Sequence, residues 1–335
     1  MITFFCTAKP FHGQTAIQQR NAINSWLRLG PETEVLLFGT DEGVAEICEE
    51  YRLVWVPDVA CTEFGTPLLS DMYGKAQKYS KFSLLCYINA DIILLEDFAE
   101  AMEMLVKRQT PFVMTGRRID VNFCRELDFE TNWRAEVRAA VAKRGVPGAP
   151  VCLDYFLFPR GAVPSMPCFA VGRPAWDNWL IMDVRRRGVD LIDASRIASP
   201  IHQNHGYGHV PFTKGVAWEG PEADRNRNLA LADAPSFQPR LHSVYSASKV
   251  LTPWGVLPAC SLRHIFWRIY VVLEYRNYRG RLLALYYRVQ AARLRAAAIV
   301  QAKTRMVGRR LRRVVAPIGG FGATIADAWR GKARD

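Results

Sequence analysis

The segment Phe82 to Ile88 is nearly all apolar, and it stops abruptly at Asn89-Ala90-Asp91. Successive side chains of a strand point to opposite faces, so an apolar run without polar alternation predicts a strand covered on both sides. Such a strand is central in its sheet. In open α/β sheets ligands bind beyond the carboxyl ends of the strands, which is where Asn89, Ala90 and Asp91 fall. An unpaired buried charge is costly, so Asp91 is expected at the strand exit with a cation or a donor nearby. Asn89, two residues earlier, is expected on the same side. The two side chains offer hard oxygen ligands suited to a divalent ion that also holds a diphosphate. The plainer alternative is that Asp91 caps the turn before Leu94.

The chain around this strand alternates in type. Ile2 to Thr7, Glu34 to Phe38 and Leu53 to Val56 read as strands, separated by helical spacings at Ile23, Trp26 and Leu27 and again at Val44, Ile47 and Cys48. Strand, helix, strand, helix, strand is the pattern of a parallel α/β sheet with helical crossovers. Ser70 to Ser80 predicts a polar helix with Ser70 as its N-cap. Further on, Phe112 to Thr115 and Leu153 to Phe158 read as strands, while Glu130 to Lys143 and Trp176 to Arg187 read as helices. There is no internal repeat at solenoid periods.

Half of the 335 residues are apolar, enough for a substantial core. The 8 cysteines form no CxxC pair and are expected as reduced thiols of a cytosolic protein, with no signal peptide at the start. Apolar runs are interrupted by charges before the length of a spanning helix, so no transmembrane segment is expected. The net charge of +12 is uneven: from Arg263 onward there are 17 Lys/Arg against 3 Asp/Glu, leaving the first 262 residues close to neutral. The basic character therefore belongs to the tail, and the rest need not bind polyanions.

The segment from Cys86 to Leu94, with Lys75-Ala76 on the preceding helix, resembles the DxD region of GT-A nucleotide-diphospho-sugar transferases, in a bacterial, family-2-like branch. Asp154 to Gly161 and Phe169 to Leu180 resemble further blocks of that branch, so the likeness spans Met1 to His209. It implies an α/β fold of GT-A, Rossmann-like type, with a mostly parallel central sheet flanked by helices. It also implies transfer of a sugar from a nucleotide-diphosphate donor to a hydroxyl, assisted by Mn²⁺ or Mg²⁺. By that resemblance Asp91 binds the metal, Thr7, Lys9 and Asp41 line the base and ribose pocket, and Lys75 lies on the donor side. Asn89 stands where the family's pair has its first Asp, which weakens the ribose contact.

The same resemblance places an acceptor-side acid at Trp176-Asp177-Asn178. A transfer that inverts configuration needs a general base near the acceptor hydroxyl, which Asp177 can supply; Asp in a first helical turn is also favoured by the helix dipole alone. Trp176 is either a platform for a sugar ring or a core residue, and Asn178 goes with it on the acceptor side. Asp154 is a second acidic candidate. His202, His205 and His209 are candidates to join Asp91 in the metal shell, against the reading of a hydrogen-bonded surface loop.

The expected division is a catalytic domain over residues 1–250 and a basic, mostly helical extension over 251–335. In the extension Arg281, Arg288 and Arg295 recur at seven-residue intervals, with Leu282, Leu285, Tyr286 and Val289 on another face, a pattern suited to an anionic membrane surface and equally to a partner helix or a solvated extension. The acceptor class in view is a cell-surface polysaccharide or lipid-linked glycan, met in the cytoplasm at the inner face of the membrane. Nucleic acid is disfavoured as a partner, since no recognised module is present. Two rival functions are kept open. One is a nucleotidyltransferase, disfavoured because Ala8 to Gly13 is not a Gly-rich phosphate loop; the other is a noncatalytic scaffold acting through its tail.

Overall fold

Strands and helices alternate from the N-terminus, and the computed structural model of the chain describes residues 1–123, 125–204 and 218–275. The order begins β1 (Ile2–Thr7), α1 (Gly13–Leu27), β2 (Thr33–Phe38), α2 (Val44–Tyr51), β3 (Val54–Val56), α3 (Leu69–Tyr79) and β4 (Leu84–Ile88). It continues with β5 (Ile92–Ile93), α4 (Glu96–Val106), β6 (Phe112–Thr115), β7 (Ile119–Val121), α5 (Trp133–Arg144), β8 (Val146–Pro147) and β9 (Tyr155–Pro159). Then come α6 (Trp176–Arg186), β10 (Asp190–Asp193), β11 (Ile201–Gln203), α7 (Pro221–Asp233), β12 (Lys249–Thr252), β13 (Gly255–Pro258) and α8 (Leu262–Tyr275).

Nine strands form one sheet in the order β13-β12-β10-β6-β9-β4-β1-β2-β3. Pairing is parallel from β4 through β1 and β2 to β3, and again from β6 through β10 to β12. Antiparallel β9 joins the two halves, and the hairpin strand β13 closes one edge. The fold class is the expected one: α/β, on a mostly parallel central sheet with helices on both faces.

Alternation along the strands explains why β4 lacks polar residues. Phe5, Leu36, Phe38, Leu85, Tyr87, Phe156 and Phe158 share a core with α3 and α6. Their neighbours Phe4, Cys6, Leu37, Leu84, Cys86 and Leu157 share another with α1, α2 and α4. Both faces of the middle strands are thus dry, and each fully buried large apolar side chain contributes roughly 1.5–3 kcal/mol.

A second sheet, β5-β11-β7-β8, is small and packs on α5. It is held to the rest by the polar face of α1, whose buried Gln18, Asn21 and Ser25 hydrogen-bond chain segments far away in sequence. Trp26 of the same helix donates to the carbonyl of Ile92 at 2.7 Å. α1 therefore fixes the chain just past Asp91.

Several element boundaries shift by a few residues from expectation, and two of the shifts have a visible cause. α3 starts at Leu69, not Ser70, because the Leu69 amide donates to the Phe169 carbonyl and the N-cap position falls to Leu68. α5 starts at Trp133, with Asn132 capping the Ala135 amide. One compact unit runs Met1–Val271 and includes β12 and β13, which complete the sheet. The second unit, Val272–Asp335, is described only as far as Tyr275, so the arginine ridge at 281, 288 and 295 lies outside the described residues. Among the described residues no helix is long and apolar enough to cross a membrane, and the cysteines are free thiols.

Candidate active site

β4 delivers Asn89 and Asp91 at its carboxyl end. Asn89 is clamped on three sides: its amide donates to the Asp154 carbonyl, its Oδ1 accepts from the Tyr87 hydroxyl at 3.0 Å, and its Nδ2 donates to Asp154 Oδ1 at 2.9 Å. Tyr87 and Asn89 meet because residues two apart on a strand share a face.

His202 reaches Asp91 through the small sheet. β11 lies between β5 and β7, with His202 opposite Ile92 on one side and Asp120 on the other. The Gln203 amide and its side-chain Nε2 both donate to the Asp91 carbonyl, at 3.2 and 3.1 Å, which clips this strand to the loop that carries the acid. The result places His202 Nε2 3.9 Å from Asp91 Oδ2 and His202 Nδ1 2.9 Å from Asp120 Oδ1. A carboxylate on Nδ1 fixes the tautomer and turns the Nε2 lone pair toward Asp91, as in carboxylate–histidine–metal arrangements. His205 and His209 lie outside the described residues.

Arg118 links the two halves of the cluster. Its Nε lies 2.8 Å from Asp120 Oδ1, and its guanidinium donates to both oxygens of Asp154 at 2.9 and 3.0 Å. Gly148 leaves the room: a Cβ there would meet Arg118 Cγ at 2.8 Å. The run Tyr87, Asn89, Asp154, Arg118, Asp120, His202 and Asp91 is thus one continuous polar network on the carboxyl side of β4. Both oxygens of Asp154 are engaged within it.

Asp177 stands at the first turn of α6, half-buried, and burial of its carboxyl group pushes its pKa up to about 7, aided by the nearby Asp154 charge and opposed by the Asn178 amide. The preceding Ala175 takes φ +81°, a left-handed conformation uncommon for a residue with a Cβ and of a kind that collects at functional sites. Trp176 is 4% exposed and packs edge-on against Tyr87 and Phe156, at 5.0 and 5.6 Å between ring centroids. It is a core residue and not a sugar platform. Asn178 is buried as well and donates to the His242 carbonyl at 2.7 Å, tying α6 to a later turn instead of facing an acceptor.

On the donor side, Thr7 and Asp41 converge on Gly39, whose φ of +103° lets the chain turn sharply at the end of β2; a Cβ there would lie 3.6 Å from Thr7 Oγ1 and from Asp41 Oδ2. Burial raises the Asp41 pKa. Trp55 on β3, 44% exposed, donates to the Gly39 carbonyl at 2.9 Å and so presents an aromatic face at this strand end. Lys9 is half-buried, with its pKa lowered by burial and supported by the Asp91 charge. Lys75 pairs with Asp71 at 3.0 Å and Asp58 at 3.2 Å, which fixes it against the loop before α3.

Arg118, Asp120, Gln203 and Trp55 are not among the residues that the sequence motifs mark. The adjacent Arg118-Ile119-Asp120, just after the strand at Phe112 to Thr115, was the available signal for the first two. A cavity of about 240 Å³ bounded by Thr33, Arg52 and Lys81 sits at the amino ends of the strands, opposite the carboxylates.

No family model matches the chain, and no curated protein matches it. Among solved structures, glucosyl-3-phosphoglycerate synthase from Mycobacterium tuberculosis with Mg²⁺ and uridine diphosphate is 13% identical, with a TM-score of 0.42 over 71% of this chain and 80% of that one. The same enzyme with Mn²⁺, uridine diphosphate and phosphoglyceric acid is 14% identical, with a TM-score of 0.41 over 69% and 78%. S. aureus TarS, residues 1–349, is 13% identical, with a TM-score of 0.37; the likeness covers 61% of this chain and spans 57% of that one.

Proposed function

We propose that this chain is a metal-dependent glycosyltransferase of the GT-A class, moving a sugar from a nucleotide-diphosphate donor to a hydroxyl acceptor. The observation that carries the reading is the alignment of Asp91, His202 and Asp120 at the carboxyl end of the central strand. A carboxylate oxygen and an imidazole nitrogen 3.9 Å apart, the imidazole fixed from behind, fit two ligands of one divalent ion. Among the described residues no three His, Cys, Asp or Glu converge on one point. Two protein ligands, with phosphate oxygens and water completing the shell, are the usual pattern for Mg²⁺ with a nucleotide. When bound, Mn²⁺ or Mg²⁺ would neutralise charge on the leaving diphosphate.

The chain's own residues do the rest. Thr7, Asp41 and the Trp55 ring surround the position for base and ribose, and Lys9 adds positive charge beside Asp91. Asp177, with a pKa near 7, holds a proton or releases it at physiological pH, which suits a general base that deprotonates the acceptor hydroxyl. Asp154, both of whose oxygens are held by Arg118 and one also by Asn89, positions the strand end.

The acceptor in this reading is a cell-surface polysaccharide or a lipid-linked glycan, met at the inner face of a membrane. A nucleotidyltransferase is less well supported, because the Phe11 and His12 amides in the turn after β1 bond the carbonyls of Glu42 and Pro10 instead of forming a phosphate cradle. The test is a panel of nucleotide sugars with Mn²⁺ or Mg²⁺, scored for donor binding and hydrolysis. Donor turnover that depends on the cation and disappears in Asp91→Ala is expected; equal turnover in the variant overturns the assignment.

A further inference from the structure

α8 has two apolar sides, and the protein covers one. His264, 3% exposed, lies with Nε2 3.3 Å from Asp193 Oδ2 at the end of β10, and Trp267 donates to the Leu241 carbonyl and Ser246 Oγ at 3.3 and 3.2 Å. These contacts set which face turns inward. Leu262, Ile265, Phe266 and Ile269 fall on the other side, with exposures of 66, 38, 60 and 47%. Isolated exposed apolar residues need no explanation, but four in one stripe on a docked helix do.

At about 100° per residue, Arg263 and Arg268 fall on opposite flanks of that stripe. Both are exposed. An apolar ridge between two long cationic side chains is the layout of a helix lying in a lipid interface, where the stems stay with the apolar surface and the charges reach the headgroups. The chain that follows strengthens the sign: residues 276–335 hold 15 Lys/Arg against 2 Asp/Glu. Each such residue near an anionic leaflet adds attraction that salt screens.

We infer that the outer face of α8, through Leu262, Ile265, Phe266 and Ile269 with Arg263 and Arg268 beside them, is a docking surface for an anionic phospholipid bilayer. The inference gives the membrane contact of the proposed function a defined surface, but it does not depend on the transfer chemistry. None of these residues belongs to the active site.

The test is sedimentation of the full chain with vesicles of phosphatidylcholine alone or mixed with phosphatidylglycerol, without donor or cation. Partition into the anionic vesicles, weakened at high salt, is expected. Phe266→Asp with Ile269→Asp should lower that partition about tenfold or more, and Phe266→Ser with Ile269→Ser should lower it less. Since these side chains are exposed, an unchanged melting temperature shows that the fold is intact. Wild-type partition in the double aspartate variant would assign binding to the tail alone and overturn the inference, as would absence of binding to anionic vesicles. A dimer that becomes monomeric in the variant, with vesicle partition unchanged, would assign the face to a second copy. Cation-dependent donor turnover, measured separately, would stand whichever way the vesicles read.

Discussion

His202 lies with its Nε2 3.9 Å from Asp91 and its Nδ1 2.9 Å from Asp120, so one imidazole joins two carboxylates that arrive from different strands. The relationship follows from register: β11 is the middle partner of β5 and β7, and a shift of one residue would turn His202 to the opposite face. Asp120 is itself fixed by Arg118, which also holds Asp154.

Cation binding should therefore respond in graded fashion. Asp91→Ala is expected to abolish nucleotide-diphosphate-dependent binding of Mn²⁺ and His202→Ala to weaken it strongly. Asp120→Asn, which touches no cation, should weaken it about 10- to 100-fold by loosening the imidazole. Calorimetric titration of each variant checks the order; wild-type affinity in Asp120→Asn would remove it from the site.

Asp177 should oppose stability to activity. Its pKa rises from 3.8 to about 7 on folding, so the folded state holds an extra proton between those values and stability falls as pH rises through that window. Asp177→Asn should match wild type near pH 3 and exceed it at pH 8 by roughly 2–4 kcal/mol, read from denaturant melts. Its transfer rate should be lost, while the wild-type rate climbs with pH up to about 7.

Arg118 should be costly to remove. Its side chain is 16% exposed and that of Asp154 7%, and Arg118→Met leaves two carboxylates without their cation. The expected loss is about 3–5 kcal/mol in a urea melt. Arg118→Lys keeps the charge without the fork and should recover part of it.

His242 should shape the acid limb. Burial lowers its pKa from 6.5 to about 4, so the neutral ring contributes stability fully above 6.5 and loses that contribution as pH falls toward 4. His242→Gln should flatten this limb by about 2–3 kcal/mol. A melting temperature followed from pH 7 to 4 gives the answer; identical slopes would place the acid sensitivity elsewhere.

Much of the frame was legible from local patterns. The dry run Phe82 to Ile88 predicts a doubly covered strand because periodicity records how many faces a strand buries, and its terminal carboxylate marks the ligand end. Other features were ambiguous locally. Trp176 beside an acid reads equally as platform or core, and only the packing of Tyr87 and Phe156 around it decides. Ser70 has the chemistry of an N-cap, yet the Phe169 carbonyl takes the Leu69 amide and starts the helix earlier. Of the partners of the strand-end residues, His202 was one of three histidine candidates, but the links behind them could not be read: Asp120 and His202 are 82 residues apart, and Arg118 reaches Asp154 across 36. The sequence by itself determined where the sheet would offer a carboxylate, because strand length and burial are set by neighbouring residues. The tertiary structure alone decided what meets that carboxylate, because a cross-strand pair depends on the register of a hydrogen-bonded ladder closed by distant segments.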